Sequence, residues 1–262
     1  MVKRFLSRFY VGIILVFLYA PILILIILSF NASKSRSRWG GFTLNWYKEL
    51  FRNADIMSAL STTLILALLS AFIATVIGTA AAIAINSMKR TPRVILLGIT
   101  NIPMLNADIV TGISLMLIFV AMNYTLGFTS VLLAHITFNI PYVILSVMPK
   151  LKQLNPNTFE AALDLGASPL YSFFKVILPD ILSGVLSGFF LAFTMSLDDF
   201  VITYFTKGPQ INTLSTKIYT EVRKGIKPEI YALSTLMFIT VLVLLIIINR
   251  KNADKNAPTR KI

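Results

Sequence analysis

The sequence contains no cysteine and a single histidine, His135. Disulfides, thiolate metal sites and cysteine nucleophiles are thereby excluded, and so is a histidine-rich metal centre. Charge is scarce as well. Asp, Glu, Lys and Arg make up 13% of the 262 residues, about half the fraction of an ordinary soluble domain. The chain has no Gly-rich phosphate-binding loop, so it is not expected to hydrolyse ATP itself. It also lacks the His/Cys/Glu constellation of a membrane-embedded enzyme.

What is present is apolar. Hydrophobic residues make up 56% of the chain, and the mean hydropathy is +0.78. They come in long blocks, and a helix needs about 20 such residues to cross the hydrocarbon core. Six stretches qualify, at roughly 10–30, 57–85, 94–122, 130–149, 181–202 and 229–248. The chain therefore reads as an all-α polytopic membrane protein, with 1–262 forming one transmembrane domain. The first stretch is too long for the apolar core of a signal peptide and is expected to be retained. The third is expected to break near Pro103, where Asn106 and Asp108 follow closely.

The formal net charge of +13 lies in the gaps between the apolar blocks. That placement fits positive-inside topology and attraction to anionic membrane lipid, and it gives no reason to expect a nucleic-acid partner. The short connection 86–93 carries Lys89, Arg90 and Arg93, whereas 123–129 carries no basic residue. Short loops weigh most in orientation, so both termini are expected in the cytoplasm of a cell-membrane protein.

Two spans show small residues at four-residue spacing: Ala67, Ala71, Ala74 and Gly78 in the second, Gly184 and Gly188 in the fifth. Small residues let helix backbones approach closely in lipid, although Ala and Gly are common enough in spans for the spacing to arise by chance.

The connection 150–180 differs from the others. Asn155-Pro156-Asn157-Thr158 signals a turn and a helix start. Glu160 and Asp164 then share one helix face, and Gly166 with Ser168-Pro169 beyond it marks the stop. A second helical piece runs into Leu178-Pro179. A short helix–Gly–helix with acidic residues is a docking shape. The alternative is an amphipathic linker lying on headgroups, which is usually basic.

Glu160-Ala161-Ala162, Gly166 and Val176-Ile177-Leu178-Pro179 follow the EAA pattern of ABC importer permeases, with Val176 in place of Ile as the only departure. The chain resembles that family, and within it the C-type permeases of the polyamine (spermidine/putrescine) importers. The further stretches that carry this resemblance include Trp46-Tyr47, Asp108-Ile109-Val110, His135-Ile136-Thr137-Phe138, Ser196-Leu197-Asp198-Asp199 and Thr206-Lys207-Gly208-Pro209. The resemblance implies a type I importer permease fold with six transmembrane helices. It implies that 150–180 carries a cytoplasmic coupling helix, with Glu160, Ala161, Ala162, Asp164, Gly166 and Pro179 in the ATPase-coupling role. It also implies the partners: a second homologous permease, two cytoplasmic ATPase subunits that bind ATP and Mg, and an extracytoplasmic polyamine-binding protein. No cofactor is expected in this chain.

An ionisable residue at membrane depth usually faces a pathway or a partner. Asp108 falls about 20 Å along a straight third span, near mid-bilayer. It either lies on a substrate path or caps a second half-helix, and the two readings are compatible. Asp198 and Asp199 fall about 25 Å along the fifth span. Neighbouring positions on a helix point about 100° apart, so one could line a cavity while the other pairs or caps. Together the three carboxylates would suit a cation, with Tyr219 and Tyr204 either assisting or forming an interfacial belt. His135 is expected to make an interhelical hydrogen bond. The alternatives are an ABC permease for another small solute, cationic or metal-containing, and a stand-alone secondary transporter. The latter would have no use for an ATPase-docking loop.

Overall fold

The computed structural model describes residues 2–255 apart from 36, 156 and 226; of 2–8 and 244–255 only the backbone is described. The turn residue Pro156 and the basic tail beyond Lys255 thus lie outside the described residues. The described chain is helical throughout, apart from connecting loops and one isolated bridge between Asn31 and Phe42. It divides into two compact units, Met1–Ser58 with Lys217–Ile262, and Ala59–Thr216.

In the first unit α1 (Val2–Ser29) packs along α12 (Pro228–Lys255), and α12 also meets α2 (Asn45–Arg52). The loop after α1 is held by polar bonds to that loop's own backbone. Trp46 is buried and donates its Nε1–H to the Asn31 carbonyl at 2.7 Å. The Ser29 and Tyr47 hydroxyls lie 2.8 Å apart, and the Phe30 and Phe42 rings stack at 5.3 Å.

The second unit holds α3 (Ala54–Ser87, entering it at Ala59), α4 (Arg90–Leu105), α5 (Asp108–Ala121) and α6 (Phe128–Gln153). Then come α7 (Asn157–Asp164), α8 (Pro169–Ser172), a π-helical turn (Phe173–Ile177), α9 (Leu178–Asp198) and α10 (Val201–Thr206). The last helix before α12 is α11 (Leu214–Lys224), which straddles the division between the units. The core lies where α3, α6 and α9 meet, around Ala71, Val143, Val147, Ile181 and Ala192. Each spaced small residue has a packing reason. Ala67, Ala71 and Ala74 are fully buried. A Cβ on Gly78 would lie 2.8 Å from Val143, and one on Gly184 would lie 3.0 Å from the Ser146 carbonyl. With no hydrophobic force between helices in lipid, such close backbone approach supplies the van der Waals contact that holds α6 to α3 and to α9. Another face of α3 exposes Leu64, Leu68, Phe72 and Val76, apolar residues of the kind a lipid-facing surface carries.

Gly184→Val is expected to destabilise the protein by about 1–3 kcal/mol through overpacking against α6. A lower melting temperature of the detergent-solubilised protein checks it, with Gly12→Val, at an open position, as the control that stays near wild type.

Among the described residues, four helical rods are long and apolar enough to span a bilayer: Phe9–Ser29, Ala54–Ser87, Phe128–Gln153 and Pro169–Asp198. The sixth expected span falls on α12, which is apolar from Pro228 to Val243. The third differs from a straight rod. α4 and α5 meet at 102°, and the turn is made by the extended residues Asn106 and Ala107, leaving Pro103 inside α4. The depth calculated for Asp108 along a straight helix therefore does not apply; it stands at the start of α5. The fifth expected span ends at Asp198, four residues early, because Asp199 adopts an extended ψ of 125°. At its other end Pro179 removes a backbone N–H and crowds the carbonyl four residues before it. The π turn absorbs this: the Leu178 N–H bonds the Phe173 carbonyl five residues back, and the helix runs on without a sharp kink.

Candidate functional site

The break between α4 and α5 and the break after α9 bring Asp108, Asp198 and Asp199 together. Asp108, Asp198 and Asp199 line one cavity of about 290 Å³, with Phe138, Tyr142 and Thr194 among its other walls. Asp108 and Asp198 are exposed, Asp199 is half-buried, and among the described residues no Lys or Arg lines the cavity. α5 reaches this place by packing on α10 through Gly112, where a Cβ would lie 3.3 Å from the Ile202 Cα. Gly208 lies so close under the Leu126 carbonyl that no side chain fits.

Asp199 and Asp198 have different surroundings. Asp199 has left the helix and caps α10: its carboxylate accepts from the Ile202 N–H at 3.2 Å and from the Thr203 N–H at 2.7 Å and hydroxyl at 2.8 Å. His135, fully buried on α6, places Nε2 at 2.9 Å from the Thr203 hydroxyl and 3.4 Å from Asp199 Oδ2. Its Nδ1 lies 3.0 Å from the Ser196 hydroxyl, which also meets Ser70 and accepts from Asn139. Thr203 donates its single hydroxyl proton to Asp199, so Nε2 must carry a proton and donate toward the Thr203–Asp199 pair. The Asp199 carboxylate is therefore fixed from behind by a buried polar chain joining α3, α6, α9 and α10. Among the described residues Asp198 has no such tether.

Tyr219 sits exposed on α11 in the first unit, with the Arg223 guanidinium 5.5 Å from its ring centroid. Tyr204 is exposed against Phe200 and Phe205. Tyr142, by contrast, was not anticipated. It shares a helix face with His135 and Phe138, at spacings of three and four residues, and that spacing was the available signal.

The connection 150–180 folds as the Gly166 stop requires. At the end of α7 the Ala167 N–H bonds the Ala162 carbonyl, the Gly166 N–H bonds the Leu163 carbonyl, and Gly166 takes φ +84°. This is a Schellman closure, which favours glycine because a Cβ is disfavoured at positive φ. Glu160, Ala161, Asp164 and Gly166 are exposed and Ala162 is half-buried. Beside them Leu165 is 89% exposed, with Leu170 and Tyr171 also outward. These apolar tips fall outside the long apolar blocks, so hydropathy alone did not single them out. Pro179 lies further on, at the start of α9.

Among the described residues, no three His, Asp or Glu side chains converge as metal ligands. The family described as "Binding-protein-dependent transport system inner membrane component" matches residues 74–254. The spermidine/putrescine transport system permease protein PotC of Escherichia coli (strain K12) is 39% identical over 246 residues, covering 94% of this chain and 93% of that one. The putrescine transport system permease protein PotI of the same strain is 42% identical over 229 residues, covering 84% and 81%. A chain of a bacterial ABC transporter involved in alginate import shares the fold, with a TM-score of 0.76 at 12% identity over 95% of this chain and 96% of that one. The chain thus belongs to the binding-protein-dependent transport system inner membrane components, as an ABC importer permease in the branch of PotC and PotI.

Proposed function

We propose that this permease carries a polyamine, spermidine or putrescine, across the cell membrane into the cytoplasm. The observation that carries the reading is the cavity with three carboxylates and no basic side chain. A polyamine is a chain of ammonium groups separated by methylenes. Separated carboxylates pair with the ammoniums, and Phe138 and Tyr142 pack on the methylenes or face the charge. Carboxylates that do not converge on one point suit such an extended cation better than a metal ion. The names of the relatives PotC and PotI support the same cargo.

The energy comes from partners. Two cytoplasmic ATPase subunits bind ATP with Mg and close on hydrolysis cycles. Their motion enters through Glu160, Ala161, Ala162, Asp164 and Gly166 on α7, with Leu165, Leu170 and Tyr171 as apolar anchors, and passes along α8 and Pro179 into α9. A second, homologous permease completes the pathway, and an extracytoplasmic binding protein delivers the cargo. Both termini face the cytoplasm, so the α7 segment lies on the ATPase side.

A competition profile tests the cargo. In vesicles holding the whole complex and its binding protein, unlabelled putrescine and spermidine are expected to suppress labelled spermidine uptake. Phosphate and thiamine at the same concentration should not. Equal suppression by thiamine would remove the polyamine assignment.

A further inference from the structure

Directly beneath the docking segment, at the basic end of α3 and α6, lies a second hollow of about 620 Å³ that the transport reading leaves unused. That volume lies within the range of ligand pockets. One wall is apolar, formed by Ile83, Leu151, Phe159, Phe173 and Ile177. The other wall is polar and one-signed: Arg93 and Lys152 line it with Asn86 and Asn155, and among the described residues no carboxylate does. Among the described residues neither cation has an ion-pair partner. Arg93 is partly engaged, donating through Nη2 to the carbonyls of Asn86 and Met88 at the end of α3. Its Nε–H is nevertheless buried with no hydrogen-bond partner. What favours an anion is the lining itself, two cations on one wall with no carboxylate beside them among the described residues.

The position decides what kind of anion. The hollow sits at the ends of two helices long and apolar enough to span a bilayer, where headgroups would lie, and its apolar wall includes Ile83 and Leu151 of those helices. A small soluble anion would leave that wall wet. A phosphodiester with acyl chains fills both halves. We propose that this hollow binds an anionic phospholipid, its phosphate held by Arg93 and Lys152 and its chains laid against Phe159, Phe173 and Ile177. Three of those contacts come from the segment that includes α7 and the π turn, so the lipid would brace the docking helix against α3 and α6.

The test uses the whole detergent-purified complex, titrated with phosphatidylglycerol, phosphatidylcholine or inorganic phosphate, with bound lipid counted by native mass spectrometry. Phosphatidylglycerol is expected to bind wild type in preference to phosphatidylcholine. Lys152→Gln, at an exposed position that cannot disturb folding, should weaken that binding about fivefold, and Arg93→Gln with Lys152→Gln should weaken it about thirtyfold. Unchanged phosphatidylglycerol affinity in Lys152→Gln and in the double variant overturns the proposal. So does an Arg93- and Lys152-dependent response to inorganic phosphate with no preference among the lipids.

Discussion

Gly166→Val is expected to cut uptake about tenfold while the chain still inserts in the membrane and its carboxylate cavity stays intact. The reason is backbone geometry and not space. A Cβ at this position would meet nothing within 4 Å, but Gly166 holds φ +84°. An L-residue forced into that region costs roughly 1–2 kcal/mol, and a β-branched one is a genuine outlier there. The Schellman closure opens, and the angle between α7 and α8 is no longer set. A penalty of that size reduces the docking-competent population by about 5- to 30-fold. The series discriminates mechanism. Gly166→Asn, which tolerates positive φ, should retain most uptake, Gly166→Ala less, and Gly166→Val least. A ranking by side-chain volume alone, with Asn worse than Ala, would show that crowding against a partner is the controlling effect. Uptake and copurification of the ATPase subunits, measured side by side, separate lost coupling from lost assembly.

The second large effect is expected at the carboxylates. Asp198→Asn removes a charge from the cavity without touching a hydrogen bond that the described fold depends on. A charge-assisted bond to an ammonium contributes about 1.5–3 kcal/mol, so the apparent KM should rise about 10- to 100-fold with melting temperature unchanged. Asp108→Asn should act in the same direction. Asp199 differs. Its carboxylate caps α10 and faces His135 and Thr203. Asp199→Ala should therefore lose stability as well as transport, by about 1 kcal/mol for the cap alone. Uptake kinetics and thermal melting on the three variants check the split. If Asp198→Asn leaves uptake kinetics unchanged, the cavity is not on the cargo's route.

These two effects come from parts of the chain that were legible to different degrees. α7 and its stop were local: a turn signal, Glu160 and Asp164 on one face and Gly166 at the end are set by neighbours in sequence, and the structure places them so. The spans were legible because hydropathy averages over twenty residues. The break in the third stretch was expected near Pro103, and the same averaging hides only its place and size: the 102° turn is made by two extended residues, Asn106 and Ala107. It also hides the end of α9 at Asp198, since one changed ψ at Asp199 alters no hydropathy. The partners of Asp199 were beyond local reading for another reason. His135 meets Ser196 and Thr203 across 61 and 68 residues, and only the packing of α6 on α9 and α10 brings them together.

The central claim is that this chain passes a polyamine only when its α7 segment is driven by an ATPase. Vesicles containing the complete complex, with binding protein outside and ATP inside, measure it directly as accumulation of labelled spermidine against its gradient. The account predicts accumulation with ATP, none with a non-hydrolysable analogue, and no response to an imposed proton gradient. Accumulation driven by the proton gradient in the absence of ATP would contradict it.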